Sequence, residues 1–65
     1  MSQTITVKGM TCEHCEQTVE TALEDVDGVS AAAADRESES ATVEGTVDGA
    51  ALVSAVEEAG YHASI

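Results

Sequence analysis

Two cysteines stand three residues apart in GMTCEHC, residues 9–15, and the chain contains no others. A thiolate is a soft donor for metal ions and also a redox nucleophile. Few other side chains could join it in such chemistry: His14 between the cysteines, His62 near the far end, and the single aromatic residue, Tyr61. A closed structural zinc site needs four donors, usually thiolate and imidazole. Cys12, Cys15, His14 and His62 form such a set only if His14 folds back over a two-residue bridge and His62 turns in from the outer side of its strand. Otherwise waters, acids or a second molecule must complete the shell. Two thiolates with few partners instead favour Cu(I), which accepts two sulfurs in a near-linear arrangement.

A disulfide between Cys12 and Cys15 closes too short a loop to constrain the unfolded chain much. CxxC at a helix start is also the arrangement of thioredoxin-type redox proteins. Such folds run to about 100 residues and place a cis-proline beside the pair. This chain has 65 residues and no proline, so a thiol redox protein ranks last among the alternatives.

The elements that must position the thiols follow from the hydrophobic pattern. Residues 3–8, QTITVK, alternate Ile5 and Val7 against Thr4, Thr6 and Lys8, which predicts a half-buried strand ended by Gly9. From Glu13 the period becomes helical, with Cys15, Val19, Ala22, Leu23 and Val26 on one face and Glu13, Glu16, Glu20 and Glu24 on or near the other. Thr11 is the expected N-cap and Gly28 the expected left-handed cap. VSAAAAD, residues 29–35, has helix-favouring alanines but is too short for a separate helix and reads as a strand. SATVEG, residues 40–45, alternates cleanly as another strand. Asp48 then caps a second helix with Leu52, Ala55, Val56 and Ala59 on one face, and Gly60 stops it. Tyr61, Ala63 and Ile65 share one side of a closing strand, with His62 and Ser64 on the other.

The order βαββαβ predicts an α+β fold, a ferredoxin-like sandwich spanning residues 1–65 as a single domain. Its four-stranded antiparallel sheet carries both helices on one face. That topology brings Cys12, Cys15 and Tyr61 to one end. Cys15 falls in the first turn of a helix, where unpaired N–H groups and the dipole favour an anion. Glu13 and Glu16 oppose this through screened charge, so a lowered thiol pKa is expected, with the helix end as its cause.

Composition bounds the remaining functions. A chain of 65 residues has a thin core, and this one lacks Phe and Trp, so a packed two-layer domain is expected rather than a ligand cavity. Thirteen acids against Lys8 and Arg36 give a net charge of −11, which excludes nucleic acid and anionic membranes as partners. No basic, apolar leader and no run of about 20 apolar residues is present, so no membrane insertion and a cytoplasmic location are expected. Scattered acids, scarce lysine and abundant Ala, Val and Thr suit a salt-loving organism. No nucleophile has a base beside it other than His14, so the chain is not expected to be an enzyme.

The motif GMTCEHC resembles the GMTCxxC loop of the heavy-metal-associated domain family. LEDVDGVSAAAAD matches that family's helix-to-strand junction, and AVEEAGYHA its second helix and last strand, so the likeness covers nearly the whole chain. The resemblance is to small copper chaperones and to the N-terminal domains of copper-exporting P-type ATPases. It implies Cu(I) held by Cys12 and Cys15. It also implies that Met10 turns into the core and shapes the loop, and that Tyr61 lies beside the thiols. His14 matches a variable position and reads as a solvated helix-start residue. A metal-binding domain of a copper-transporting P-type ATPase is the implied partner. Without metal a monomer is expected, and a metal-bridged dimer is the loaded alternative. The other readings are a carrier or sensor of Zn²⁺, Ag⁺ or Hg²⁺, or a regulatory domain of a larger ATPase. The chain is expected to be complete from Met1 to Ile65, which counts against the regulatory domain.

The charge excess carries a stability consequence. At about 1 M salt the Debye length falls to roughly 3 Å and the mutual repulsion of the acids is screened. The metal-free domain is therefore expected to melt at a lower temperature in dilute buffer than in molar salt. A melting temperature that stays flat across that range overturns this.

Overall fold

The computed structural model describes residues 2–64. Met1 and Ile65, and with them the expected chain ends and the last inward residue of the closing strand, lie outside the described residues. The elements are β1 (Ser2–Lys8), α1 (Glu13–Glu24), β2 (Val29–Asp35), β3 (Ser40–Gly45), α2 (Gly49–Glu58) and β4 (His62–Ser64). The sheet order is β2-β3-β1-β4, and every neighbouring pair is antiparallel. This is the ferredoxin-like arrangement expected from the sequence.

The core is built evenly from four elements. Ile5 and Val7 of β1, Val19 and Leu23 of α1, Ala41 and Val43 of β3, and Leu52 and Val56 of α2 are each at most 2% exposed. Alternation in the two central strands and a one-turn spacing in each helix aim these side chains at a single layer. The outer strands contribute only half-buried Ala32, Ala34 and Ala63, with Val29 at the start of β2. The alanine run of β2 adopts a strand because β3 supplies a ladder from Ala31↔Glu44 to Asp35↔Ser40. Small side chains there let α1 lie close over the sheet. Pairing and burial override the helical preference of alanine.

Three local expectations are corrected. Cys12, not Thr11, is the N-cap of α1. Its backbone is extended (φ −156°, ψ 173°), and its carbonyl accepts the N–H groups of Cys15 (3.0 Å) and Glu16 (3.2 Å). The helix ends at Glu24 with Asp25 as C-cap, so Val26 lies in the following turn and Gly28 leads into β2 instead of capping the helix. Tyr61 immediately precedes β4. Asp48 does occupy the N-cap of α2, but through its carbonyl, which accepts from Ala51 and Leu52; its side chain makes no cap bond.

The end of α2 sets the position of Tyr61. Ala59 is the C-cap and Gly60 takes a left-handed φ of 99°. The Gly60 N–H then reaches the Glu57 carbonyl (3.0 Å) and the Tyr61 N–H the Val56 carbonyl (3.2 Å). This is the Schellman pair of bonds, which glycine closes without a Cβ penalty. The chain turns sharply and drops Tyr61 against the core.

Leu23 is fully buried between the two layers. Truncating such a residue to alanine costs about 2–5 kcal/mol, while a domain of this size holds roughly 3–10 kcal/mol in total. Leu23→Ala is therefore expected to remove at least about a fifth, and at mid-range values about half, of the stability measured by urea unfolding. A loss below about 1 kcal/mol would mean that α1 is not docked as described.

Candidate metal centre

The loop 9–12 joins β1 to α1 and carries the thiols. Lys8 ends β1 opposite His62 of β4. Gly9 follows with φ +100°, a conformation that side-chain-bearing residues rarely adopt, and a Cβ there would lie 3.4 Å from the Tyr61 ring. Met10 is half-buried against the core, as expected for a residue that shapes the loop. Thr11 and Cys12 are exposed, and Cys15 is half-buried in the first turn of the helix.

The two sulfurs are 3.6 Å apart and both are free thiols. The Thr11 hydroxyl also lies 3.6 Å from Cys15 Sγ. Having lost the capping role, Thr11 turns its side chain and its amide toward the second sulfur. The Cys15 thiol is lowered from its ordinary 9.0 to about 6. The foremost cause is the hydrogen bond from the Tyr61 hydroxyl, followed by the Thr11 amide, the Thr11 hydroxyl and Cys12, against a small opposing effect of burial. The direction agrees with the sequence-based expectation and the cause differs. Discrete donors, rather than the helix end alone, favour the thiolate. The converse appears at Tyr61, whose phenol is raised because ionising it would forfeit the bond it gives to Cys15, with burial and the nearby sulfur charges adding to the effect.

The remaining candidates separate from the pair. His14 is exposed and lines a shallow groove with Gln17, Thr18, Thr21, Ala22 and Ala59. Its carbonyl accepts a bond from the Thr18 hydroxyl at 3.0 Å. His62 is exposed on β4. Among the described residues, no group of three or more His, Cys, Asp or Glu side chains is arranged to hold a metal ion. A larger groove of about 520 Å³ lies between the helices, lined by Ala22, Val26, Ala51 and Ala55 among others, and includes neither cysteine.

Sequence reasoning placed Glu16 and Glu20 with the solvated acids. Both are half-buried. Glu20 Oε2 accepts the Ala34 N–H at 2.9 Å and Glu16 Oε2 the Arg36 N–H at 2.7 Å. The Arg36 guanidinium lies 3.4 Å from Glu16 Oε1. The available signal was the lone arginine of an acid-rich chain, together with two glutamates four apart on one stripe of the helix.

Comparison with known proteins agrees with this architecture. The model of the heavy-metal-associated domain matches residues 4–62. The copper chaperone CopZ of Staphylococcus saprophyticus is 58% identical over 31 residues, covering 48% of this chain and 46% of that protein. Copper-transporting ATPase 2 of Rhizobium meliloti is 44% identical over 63 residues, covering 92% of this chain but 8% of the ATPase. The copper chaperone CopZ of Bacillus subtilis is 36% identical over 62 residues, 91% of this chain and 90% of that protein. The matches to the first two therefore span less than half the length of those proteins. Among solved structures, a CopZ metallochaperone superposes with a TM-score of 0.92 at 31% identity over 98% of this chain and 100% of that one. A copper-binding domain from HMA7, a P-type ATPase, gives 0.94 at 33% identity over 98% and 90%.

The donors around Cys15 carry a pH signature. Alkylation of Cys15 by iodoacetamide, followed by mass spectrometry of the labelled peptide, is expected to rise with a midpoint near pH 6. In Tyr61→Phe the midpoint moves up toward the ordinary thiol value. The folded domain holds a thiolate where the unfolded chain still holds a thiol, so this contribution to stability is complete above about pH 9 and disappears as pH falls through about 6. An unchanged midpoint in Tyr61→Phe overturns the assignment.

Proposed function

The chain belongs to the heavy-metal-associated domain family, and from that membership we propose that it carries Cu(I) on Cys12 and Cys15 and passes it to a partner's thiols. The observation that carries the reading is the sulfur pair itself: 3.6 Å apart, at the surface, with one member held as a thiolate near neutral pH. Its likeness to copper chaperones and to a copper-binding ATPase domain supports copper as the cargo. The monovalent state follows from the donor set, since two soft sulfurs without further ligands suit Cu(I) better than Zn²⁺.

The spacing suggests how the ion enters and leaves. Two metal–sulfur bonds of about 2.3 Å placed in line span about 4.6 Å, and the pair as folded is about 1 Å closer than that. A two-coordinate ion therefore requires one sulfur to swing outward. Cys15 is half-buried with the Thr11 hydroxyl 3.6 Å from its sulfur, whereas Cys12 is exposed at the loop's edge. Cys12 is the sulfur that moves. Two-coordination also leaves the ion open to an incoming thiol, so transfer proceeds through a three-coordinate intermediate and no free ion is released. The role is carriage rather than catalysis.

The partner we propose is the metal-binding domain of a copper-transporting P-type ATPase, whose thiols stand in the same type of loop. No helix among the described residues is long and apolar enough to cross a membrane. Without metal we take the domain to be a monomer in the cytoplasm, where thiols stay reduced, with a metal-bridged dimer as the loaded alternative.

Titration with Cu(I) and Zn²⁺ against competing chelators tests the assignment. The expected result is a 1:1 Cu(I) complex that Cys12→Ser and Cys15→Ser each lose by orders of magnitude. Tighter retention of Zn²⁺, with the spectroscopic signature of a tetrahedral centre containing imidazole, overturns it in favour of a zinc carrier.

A further inference from the structure

We propose that Glu16 is a positioning residue of the thiol site: its carboxylate ties the first turn of α1, and with it Cys15, to the turn that joins β2 to β3. The inference rests on the copper reading above and adds a residue that takes no part in binding the ion.

Apart from the contacts of the Cys15 sulfur with the loop, the first turn of α1 has little else to hold it. Cys12 caps the helix through its carbonyl alone, with no side-chain bond to the free N–H groups. The first fully buried residue of the helix is Val19, one turn beyond Cys15. Residues 13–15 thus have neither a side-chain cap nor a core anchor. Glu16 supplies the missing attachment through the Arg36 N–H at 2.7 Å. This is a charge-assisted bond to main chain in the turn just beyond β2, the sheet's outermost strand. The guanidinium contact is longer, at 3.4 Å, and the Arg36 side chain is 38% exposed, so the main-chain bond is the principal one.

The turn that receives this tether is itself fixed. Asp35 Oδ1 accepts the Glu37 N–H at 2.9 Å, and the Ser38 and Ser40 hydroxyls are 2.7 Å apart. Glu39 takes a left-handed φ of 53°, a costly conformation for a residue with a Cβ. Its carbonyl accepts the Val7 N–H at 2.8 Å. One turn therefore grips both roots of the thiol loop, β1 at Val7 and α1 at Glu16. Strain is tolerated at Glu39 where the chain must meet β1.

Glu20 provides an internal comparison. It makes the same kind of bond, to the Ala34 N–H, one helical turn further from the thiols. Four residues of helix rise about 6 Å and two residues of strand about 6.7 Å. Glu16 and Glu20 thus match alternate amides of β2 in step. Both stabilise the fold, but only Glu16 adjoins Cys15.

The test compares wild type, Glu16→Ala, Glu16→Gln and Glu20→Ala. Each is read by Cu(I) retention against a chelator, by the ratio of Cys15 to Cys12 alkylation in the metal-free protein at fixed pH, and by melting temperature. Glu16→Ala is expected to weaken Cu(I) retention about tenfold, the low end for outer partners of a metal site, and to narrow the difference between the two thiols. Glu16→Gln, whose amide oxygen still accepts the Arg36 N–H, recovers most of both. Glu20→Ala lowers the melting temperature without the copper loss. Should Glu16→Ala unfold, Glu16→Asp keeps the charge with a shorter reach and is expected to show the same losses. Wild-type retention and thiol selectivity in Glu16→Ala or Glu16→Asp, or losses in Glu20→Ala equal to those at Glu16, overturn the proposal. If wild type does not retain Cu(I), the copper reading fails, and the alkylation ratio still decides the tether.

Discussion

Hydroxyl and amide donors from Tyr61 and Thr11 converge on the Cys15 sulfur and hold it as an anion near neutral pH. Burial could not do this, because a low-dielectric environment favours the neutral thiol. The helix end alone contributes a partial charge that fades within a turn. The site therefore keeps its thiolate at the surface and brings donors to it. Surface placement is also what a carrier needs, since a partner's sulfur must reach the ion. Stabilisation and accessibility thus draw on one arrangement, and the rest of the fold can be understood as what holds those donors in place.

Three short devices do so. The Schellman turn after α2 drops Tyr61 back toward the loop. Gly9, with its left-handed φ of 100°, turns the chain beneath the Tyr61 ring. Cys12 enters the helix through its carbonyl, which releases the Thr11 hydroxyl to face Cys15. None of these contacts lies in the core of Ile5, Val7, Val19, Leu23, Ala41, Val43, Leu52 and Val56. The core fixes the layers and hydrogen bonds at their end fix the site. Within the loop only Met10 packs against that core, so the thiols themselves are braced by hydrogen bonds.

The core was legible in the sequence because it depends on periodicity. Ile5 with Val7, Ala41 with Val43, Val19 with Leu23, and Leu52 with Val56 are all visible as period-two or one-turn pairs. β2 was legible only from context, since four alanines carry no period of their own. The thiols and the nearness of Tyr61 were legible from motif and topology together. What escaped was the identity of the cap. Thr11 is a better capping residue than Cys12 by propensity, but a threonine used as a cap cannot also face a sulfur four residues on. Glu16 and Glu20 escaped for a related reason. Their partners are main-chain amides of β2, and no side-chain pattern reports which amides an edge strand leaves open.

The acid load gives those two glutamates a further meaning. With thirteen acids on 65 residues, a thiolate stabilised chiefly by long-range field would meet repulsion from most of the surface. That repulsion varies with ionic strength because it acts over a Debye length. Hydrogen bonds from Tyr61 and Thr11 act at contact, where no counterion intervenes. Glu16 and Glu20 each accept a main-chain N–H, so two members of the acid load also serve as local attachments. Short-range contacts at the site thus offset part of the repulsion that so heavy an acid load exerts on a further anion at the surface.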